Sequence, residues 1–158
     1  ILSSAASDVY KRQFQYYETV CGGQGAGKNH NGCDAIQTNM TNSRSTDPEI
    51  FEEEYPIILS EISLVEGKQY NSKFAGGRGL KKIFFICDNM SCSLLSNNRK
   101  EQPFGLCGGE PGKLGSNTII RNNVAIEIEG NCQIELAIGD QLMITTPSGG
   151  GYGKKNKL

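Results

Sequence analysis

The sequence predicts a mainly β fold with one short helix, an α+β domain whose antiparallel strands form a sandwich- or barrel-like arrangement. The first observation is a series of short β-prone segments in the second half, most of them bounded by Gly, Asn, Asp or Pro. The second is a period-two alternation of apolar and polar residues at 124–129 and 133–138, which gives each segment one core-facing side. At 158 residues the chain is the size of one ordinary domain, so a single core is expected.

The predicted strands follow one another, with connections of hairpin length, after residue 56. They are the segments 57–65, 80–87, 92–96, 117–121, 124–129, 133–138 and 141–146. The stretch from Ile83 to Cys87 is continuously apolar, which predicts a strand in the centre of a sheet. A turn region at Gly130 and Asn131, typical of a hairpin, separates the two alternating segments.

The first third of the chain predicts one strand, one glycine-rich loop and one helix. Residues 14–20 are aromatic and β-branched, as strands prefer, and the glycines follow directly. A helix is predicted to begin with Thr46 as N-cap, with Pro48 in the first turn and Glu49 closing a capping box. Pro56 then ends the helix after Tyr55.

Composition excludes several classes of protein. With 16 basic and 17 acidic side chains, the chain has no overall field for nucleic acid or an anionic membrane, and no apolar run is long enough to cross a bilayer. The six cysteines form no C-x-x-C pair, and His30 is the single histidine, so no structural metal is expected. These features predict free thiols and a cytoplasmic location.

Residues 1–13 are expected to be foreign to the fold. Residues 3–13 read SSAASDVYKRQ, which resembles the in-frame translation of a transposase sequencing adapter. A genuine N-terminal helix is the alternative, since Ala, Lys, Arg and Gln favour helices. On the adapter interpretation, the native part of this chain starts at Phe14, and the native residues expected before Phe14 are missing from it.

A phosphate-loop motif is present in outline at residues 22–29. The segment reads GGQGAGKN and fits G-x-x-x-x-G-K, in which backbone N–H groups and Lys28 would hold a nucleotide. Asn29 stands where a Ser or Thr hydroxyl would bind Mg²⁺, and residues 30–33 are a weak helix start. A nucleotide-binding module is therefore the alternative function, and a glycine loop that permits unusual φ/ψ values and close chain crossing is the simpler interpretation.

Five sequence blocks, in order, resemble the 5-oxoprolinase and hydantoinase B family over residues 14–153. The blocks read YYETV-GG-GAG with MTNSR-TDPEI, then EYP, GGRG, PFGLCGGEPG and TPSGGGYG. The family patterns they are similar to are YYET-GG-GAG-HMTNTRITDPEI, ERYP, RGGDG, PYGL-GG-PG and TPGGGGYG. The TDPE variant is closer to the 5-oxoprolinase branch than to the bacterial hydantoinases.

The resemblance implies a C-terminal portion of a larger subunit that hydrolyses a cyclic amide with ATP. For 5-oxoprolinase the reaction converts 5-oxo-L-proline to L-glutamate in glutathione turnover. The resemblance further implies that ATP and Mg are bound by an absent hydantoinase A-type portion or subunit, that no cofactor binds this fragment, and that the full-length form is a homo-oligomer. The fragment alone is expected to be inactive.

Two departures from the family pattern leave a non-catalytic paralogue as a further alternative. Gln37 and Asn39 stand where the family carries two histidines, so any proton transfer or metal ligation by those imidazoles could not occur here in the same way. Arg78 replaces the acid of the GGDG block.

The catalytic candidates surround the predicted helix start. Opening a cyclic amide needs donors for a developing oxyanion, and Thr41, Asn42 and Arg44 precede the helix, where unpaired N–H groups also favour an anion. The alternative is that they cap and brace the loop. Asp47 is either catalytic or a first-turn helix residue, and Glu18 is either a desolvated base between aromatic neighbours or a surface or salt-bridged carboxylate.

The substrate-binding candidates come from loops. Gly22, Gly23 and Gly25 belong to the first glycine block, and His30 is the accessible imidazole beside it. Arg99 either binds an anion or solvates a turn. Residues 154–158 form a basic tail, predicted to be a frayed and solvated end.

Overall fold

The computed structural model describes residues 2–3, 14–38, 41–67 and 71–155, and it confirms a mostly antiparallel β fold with one short helix. The helix α1 spans Pro48–Glu54. The strands are β1 Leu2–Ser3, β2 Gln15–Tyr16, β3 Ile57–Leu64, β4 Ser72–Phe74, β5 Leu80–Ile86, β6 Met90–Leu95, β7 Ser116–Arg121, β8 Val124–Ile128, β9 Asn131–Leu136, β10 Gln141–Thr145 and β11 Tyr152–Lys154.

Two larger sheets face each other across the core. The five-stranded sheet has the order β3-β5-β10-β7-β8, and the four-stranded sheet has the order β2-β1-β6-β9. Strand β5 lies between β3 and β10, as its continuous apolar run predicts. A small third sheet pairs β11 with β4. In this arrangement most of the predicted strands are confirmed.

Buried side chains from both sheets and the helix form one core. They are Phe51, Ile57, Phe84, Ile86, Met90, Cys92, Ile119, Leu136 and Leu142. Helix α1 reaches this core through Phe51, whose ring centroid lies 4.8 Å from that of Tyr16 in an edge-to-face contact. Burial also raises the pKa of the Cys92 thiol to about 11. The helix and the start of β2 are therefore fixed to the sheets by aromatic packing.

Three local predictions differ from the structure. Asp47, and not Thr46, is the N-cap, because its Oδ1 accepts from the Glu49 N–H at 3.0 Å. The alternating segments on either side of Gly130 do not pair, since β8 joins the five-stranded sheet and β9 the four-stranded one. The predicted strand at 14–20 shortens to β2.

The two ends of the chain contribute strands. Leu2–Ser3, inside the stretch predicted to be foreign to the fold, pairs with β2 and β6. At the other end β11 extends into the predicted basic tail, because Lys154 pairs with Ser72 and the Lys155 N–H donates to the Asn71 carbonyl at 3.0 Å. These two lysines are thus tied to β4 and not frayed.

An ion pair between the buried Asp140 carboxylate and the partly exposed Arg121 closes the turn between β9 and β10. Asp140, 2% exposed, accepts from Arg121 Nε and from one Arg121 terminal nitrogen at 2.9 and 2.6 Å, and from the Ala137 N–H at 2.8 Å. Hydrogen bonding from Arg121 is the main reason that the pKa of the Asp140 carboxyl lies below its ordinary value.

This ion pair predicts a specific acid sensitivity. Because the folded-state pKa of Asp140 is depressed, its contribution to stability is complete above its ordinary pKa of about 4 and is lost as the pH falls through the folded value. The melting temperature of Asp140→Asn should therefore change less steeply than that of the wild type below about pH 4. Thermal melts followed by circular dichroism across that range test this, and parallel curves for the two proteins would contradict it.

Candidate functional site

Lys82 is a buried lysine on the inner face of the five-stranded sheet. It pairs in register with Ile144 of β10, so its side chain shares the sheet face on which Ile144 packs against the core. Lys82 is 2% exposed. A buried ammonium is costly unless it is paired and hydrogen-bonded, so this position requires a partner.

Glu18, which lies in the segment after β2, is that partner. Lys82 Nζ donates to Glu18 Oε1 and, at 3.0 Å, to Ser45 Oγ. Ser45 Oγ in turn donates to the same carboxylate oxygen at 2.9 Å. The Glu18 side chain is 10% exposed and that of Lys82 is 3% exposed. The three groups therefore form a closed polar triangle in which the two charged side chains are buried and Ser45 is exposed.

The loop before helix α1 holds the outer side of this triangle. Thr46, next to Ser45, accepts from the Tyr16 hydroxyl at 3.2 Å. Burial raises the pKa of Tyr16, and the nearby Glu18 carboxylate raises it further. The phenol therefore stays protonated at neutral pH and acts as a donor that anchors the loop to β2.

A cleft of about 380 Å³ opens beside the triangle. We call it the Lys82 cleft; its lining includes Glu18, Lys82 and Ser45, with Cys21, Gln37 and Asn42 around them. Gln37 Nε2 donates to the Thr19 carbonyl at 2.7 Å, which fixes that amide on the wall. Burial raises the pKa of the Cys21 thiol. The cleft thus offers an ammonium, a hydroxyl, a carboxylate and amides, whereas its thiol remains protonated.

A second cavity of about 330 Å³ lies between the two larger sheets. This intersheet cavity shares the segment Glu18, Thr19 and Val20 with the Lys82 cleft, and it is also lined by Gly22 and Arg99. The chain segment that carries Glu18 therefore lines both spaces.

The structure brings some of the predicted site residues together and leaves others apart. Glu18 and Asn42 line the Lys82 cleft, and Glu18, Gly22 and Arg99 line the intersheet cavity. The residues that line neither space are Gly23, Gly25, His30, Thr41, Arg44 and Asp47. Two of these have local roles, since Asp47 caps the helix and Thr41 Oγ1 donates to the Thr38 carbonyl at 3.0 Å.

The remaining predicted residues lie on the surface or in chain crossings. Arg44 is exposed, and so is His30, whose Nδ1 lies 3.0 Å from the Asn31 carbonyl oxygen. Gly23 packs directly on the backbone of Gly77. Of the two positions where the family carries histidines, Gln37 lines the Lys82 cleft and Asn39 lies outside the described residues.

Sequence reasoning missed Lys82 and Ser45. A signal for Lys82 was present, because two adjacent lysines interrupt the apolar strand 80–87, and alternation must turn one of them inward. Ser45 offered no such signal, since its partners lie 27 and 37 residues away in the sequence.

The glycine loop at 22–29 does not have the geometry of a phosphate loop. The N–H groups of Gly23, Gln24, Ala26 and Gly27 all donate to backbone carbonyls. Lys28 lies in an exposed turn, and no helix follows it within residues 28–38. Because the donors that would cradle a nucleotide are already used, these residues do not fit ATP.

Three general features can be stated for the part of the chain that the structure describes. None of its helices is long and apolar enough to cross a bilayer. Nor do three or more His, Cys, Asp or Glu side chains converge there as a metal-binding group. All six cysteines are free.

Comparison with known proteins places these features in a family context. The model of the family described as Hydantoinase B/oxoprolinase matches residues 2–155. The 5-oxoprolinase of Dictyostelium discoideum is 42% identical over 144 residues, which is 90% of this chain and 11% of that protein. The 5-oxoprolinase 1 of Arabidopsis thaliana is 41% identical over 141 residues, or 89% of this chain and 11% of that protein. The chain thus spans about one ninth of the length of these relatives.

A solved structure shares the fold. The ATP-dependent caprolactamase from Pseudomonas jessenii superposes with a TM-score of 0.73 at 23% sequence identity, covering 85% of this chain and 24% of that one. At this identity the likeness concerns the fold alone.

Proposed function

Because the chain belongs to the hydantoinase B/oxoprolinase family, we propose that it is one segment of an ATP-dependent hydrolase of cyclic amides, with 5-oxo-L-proline as substrate and L-glutamate as product. Relatives named 5-oxoprolinase at 42% and 41% identity support this choice of substrate. The observation that carries the proposal is the Glu18–Lys82–Ser45 triangle at the wall of the Lys82 cleft. Buried charge that faces a cleft is typical of a functional site.

The triangle suits the chemistry of ring opening. Water adds its oxygen to the amide carbon, the C–N bond breaks, and the leaving nitrogen gains a proton. Negative charge develops on the former amide oxygen, and donors placed in a water-poor site stabilise it. Lys82 Nζ is such a donor, because it gives two of its three N–H groups to Glu18 and Ser45 and keeps one for the oxyanion. Glu18 and Ser45, whose single O–H goes to Glu18, are positioning residues that orient the ammonium.

ATP chemistry is assigned to a different part of the enzyme. The glycine loop of this chain does not fit a triphosphate, because its N–H groups are used by backbone carbonyls. We therefore place ATP and Mg on a hydantoinase A-type portion or subunit, within a cytoplasmic homo-oligomer that serves glutathione turnover. The present chain then contributes one wall of a composite active site.

A chimera tests the proposal without requiring any further native sequence. Residues 14–153 replace the matching segment of the Dictyostelium discoideum 5-oxoprolinase, and ATP-dependent release of glutamate from 5-oxoproline is measured. We expect turnover, and we expect Ser45→Ala to lower kcat by about a hundredfold, because the donor Lys82 loses one of the two groups that hold it in position. Ser63→Ala is the matched control, because the Ser63 hydroxyl donates to Glu61 in strand β3 and lines neither space.

Each outcome of the chimera experiment is informative. A folded chimera that releases no glutamate would overturn the proposed function. If the Ser45→Ala chimera has the same kcat as the wild-type chimera, the Lys82 cleft takes no part in the reaction. Loss of activity in both serine variants would show a general packing effect and would also count against the cleft.

Gln37 favours a second candidate function, that of a non-catalytic paralogue. Its amide occupies the wall of the Lys82 cleft at one of the two positions where the family carries a histidine. If the wild-type chimera is inactive and Gln37→His restores glutamate release, this second function is supported. An active chimera without that substitution excludes it.

A further inference from the structure

Arg99 is held in a fixed slot between β6 and β7. A Cβ atom added at Gly115 would lie 2.2 Å from one terminal nitrogen of Arg99, and one added at Gly130 would lie 3.0 Å from Arg99 Cγ. Only glycine therefore leaves room for this arginine at Gly115, and the stem passes closely over Gly130. The guanidinium is placed by packing and not by chance at the surface.

The partners of this guanidinium are all neutral. Nε and one terminal nitrogen donate to Asn117 Oδ1 at 3.3 and 3.0 Å, and the other terminal nitrogen donates to the Asn97 carbonyl at 2.8 Å. These bonds use three of the five guanidinium N–H groups. Burial lowers the pKa of Arg99, and no neighbouring charge contributes.

Other half-buried arginines of the chain are neutralised. Arg78 pairs with Asp34 at 2.6 Å, and Arg121 pairs with Asp140 at 2.6 Å. Within the described residues, no carboxylate lies within ion-pair distance of Arg99. A partly desolvated cation without an anion is costly, which makes this position suitable for an external anion.

The intersheet cavity next to Arg99 has one polar end and one apolar wall. Asn97, Arg99 and Asn117 form the polar end, and Phe84, Leu142 and Ile144 belong to the wall. Its volume of about 330 Å³ lies at the lower end of the range for small-molecule sites. The Glu18 carboxylate accepts from Lys82 and Ser45, which line the Lys82 cleft and not this cavity.

We propose that the intersheet cavity binds a small organic carboxylate, with its oxygen atoms on the free N–H groups of Arg99 and its hydrocarbon body against Phe84, Leu142 and Ile144. Binding at this site does not require that the chain take part in amide hydrolysis. The same cationic end could attract inorganic phosphate, but the apolar wall favours a ligand with a hydrocarbon body.

Hexanoate, hexanamide and inorganic phosphate are the probes that test this site. We expect the 158-residue chain to bind hexanoate at least about tenfold more tightly than the neutral amide and more tightly than phosphate. Binding is followed by ¹H–¹⁵N NMR titration, with the Asn117 side-chain amide as a local reporter. Equal affinity for the acid and the amide, binding of neither, or a preference for phosphate would each overturn the proposal.

Two variants locate the anion. Arg99→Gln should bring the ratio of hexanoate to hexanamide affinity to about one, while Lys100→Gln, a charge-matched change at the exposed neighbouring residue, should leave it unchanged. Since Arg99→Gln also removes bonds to Asn117, Asn117→Asp serves as a second test that keeps the guanidinium and supplies an internal carboxylate. Asn117→Asp should lower the affinity for hexanoate by about tenfold or more. Selectivity for hexanoate that persists in both variants would remove Arg99 from the site.

Discussion

Lys82→Met is expected to lower the free energy of unfolding by about 3–5 kcal/mol, because it leaves the Glu18 carboxylate buried without its cation. Methionine has nearly the length of the lysine stem, so the loss of packing is small compared with the loss of the charge partner. Urea denaturation followed by circular dichroism measures the change. The effect is large because the side chains of both partners are at most 10% exposed.

The neighbouring lysine supplies a matched control. Lys81 points to the other face of β5 and pairs with Glu61 at 3.1 Å, where the two side chains are 32% and 38% exposed. Lys81→Met should therefore cost no more than about 1 kcal/mol. The double variant Glu18→Gln with Lys82→Met removes both charges and should recover much of the loss. Equal costs for the two single lysine variants would contradict the burial of the Glu18–Lys82 pair.

The strands could be predicted because their signals are local. Alternation and bounding turn residues fix β5, β7 and β10 within one or two residues. The choice between sheets is not a local property, and this is why the segments around Gly130 were expected to meet as a hairpin. The observed hairpin joins β7 to β8 through Asn122 and Asn123, whose φ values of 51° and 62° suit a tight two-residue turn.

The candidate site could be predicted only in part, for the same reason. Glu18 could be singled out as a carboxylate in an aromatic segment, and the structure shows it as a salt-bridged carboxylate, one of the two alternatives. Its partner Lys82 lies 64 residues away in the sequence, so the ion pair exists only after the sheet has formed. The sequence allows Asp47 to be either catalytic or a first-turn helix residue, and the structure shows its Oδ1 capping that helix.

The glycine blocks were predicted to serve two purposes, and the structure supports mainly one of them. Close chain crossing is confirmed where Gly23, Gly77 and Gly149 pack backbone against backbone. Positive φ values are rarer than expected, since among the glycines of the blocks 22–27, 76–79, 108–112 and 149–153 only Gly108 and Gly153 have them. The blocks therefore bring distant segments of the chain into close backbone contact.

Gly23→Ala is expected to destabilise the protein by at least about 3 kcal/mol, the upper end of ordinary overpacking costs. The added Cβ atom would lie 1.9 Å from the Gly77 carbonyl oxygen and 2.7 Å from the Gly149 nitrogen, and backbone atoms cannot rotate away as a side chain can. To relieve this clash, the two segments of the chain that cross here would have to separate. They are joined by the hydrogen bond from the Gly77 N–H to the Gln24 carbonyl at 2.8 Å. Urea denaturation and the yield of soluble protein measure the loss.

Gly25→Ala, two residues along the same loop, is the matched control. Its added Cβ atom would meet only the Gly150 carbonyl oxygen at 3.8 Å, an ordinary contact. Since alanine restricts the unfolded chain more than glycine does, this substitution should be neutral or stabilising by up to about 1 kcal/mol. If both variants were equally stable, the crossing at Gly23 would be looser than its contacts indicate. If both unfolded, the loop would need glycine for conformational freedom, and close packing would not be its main role.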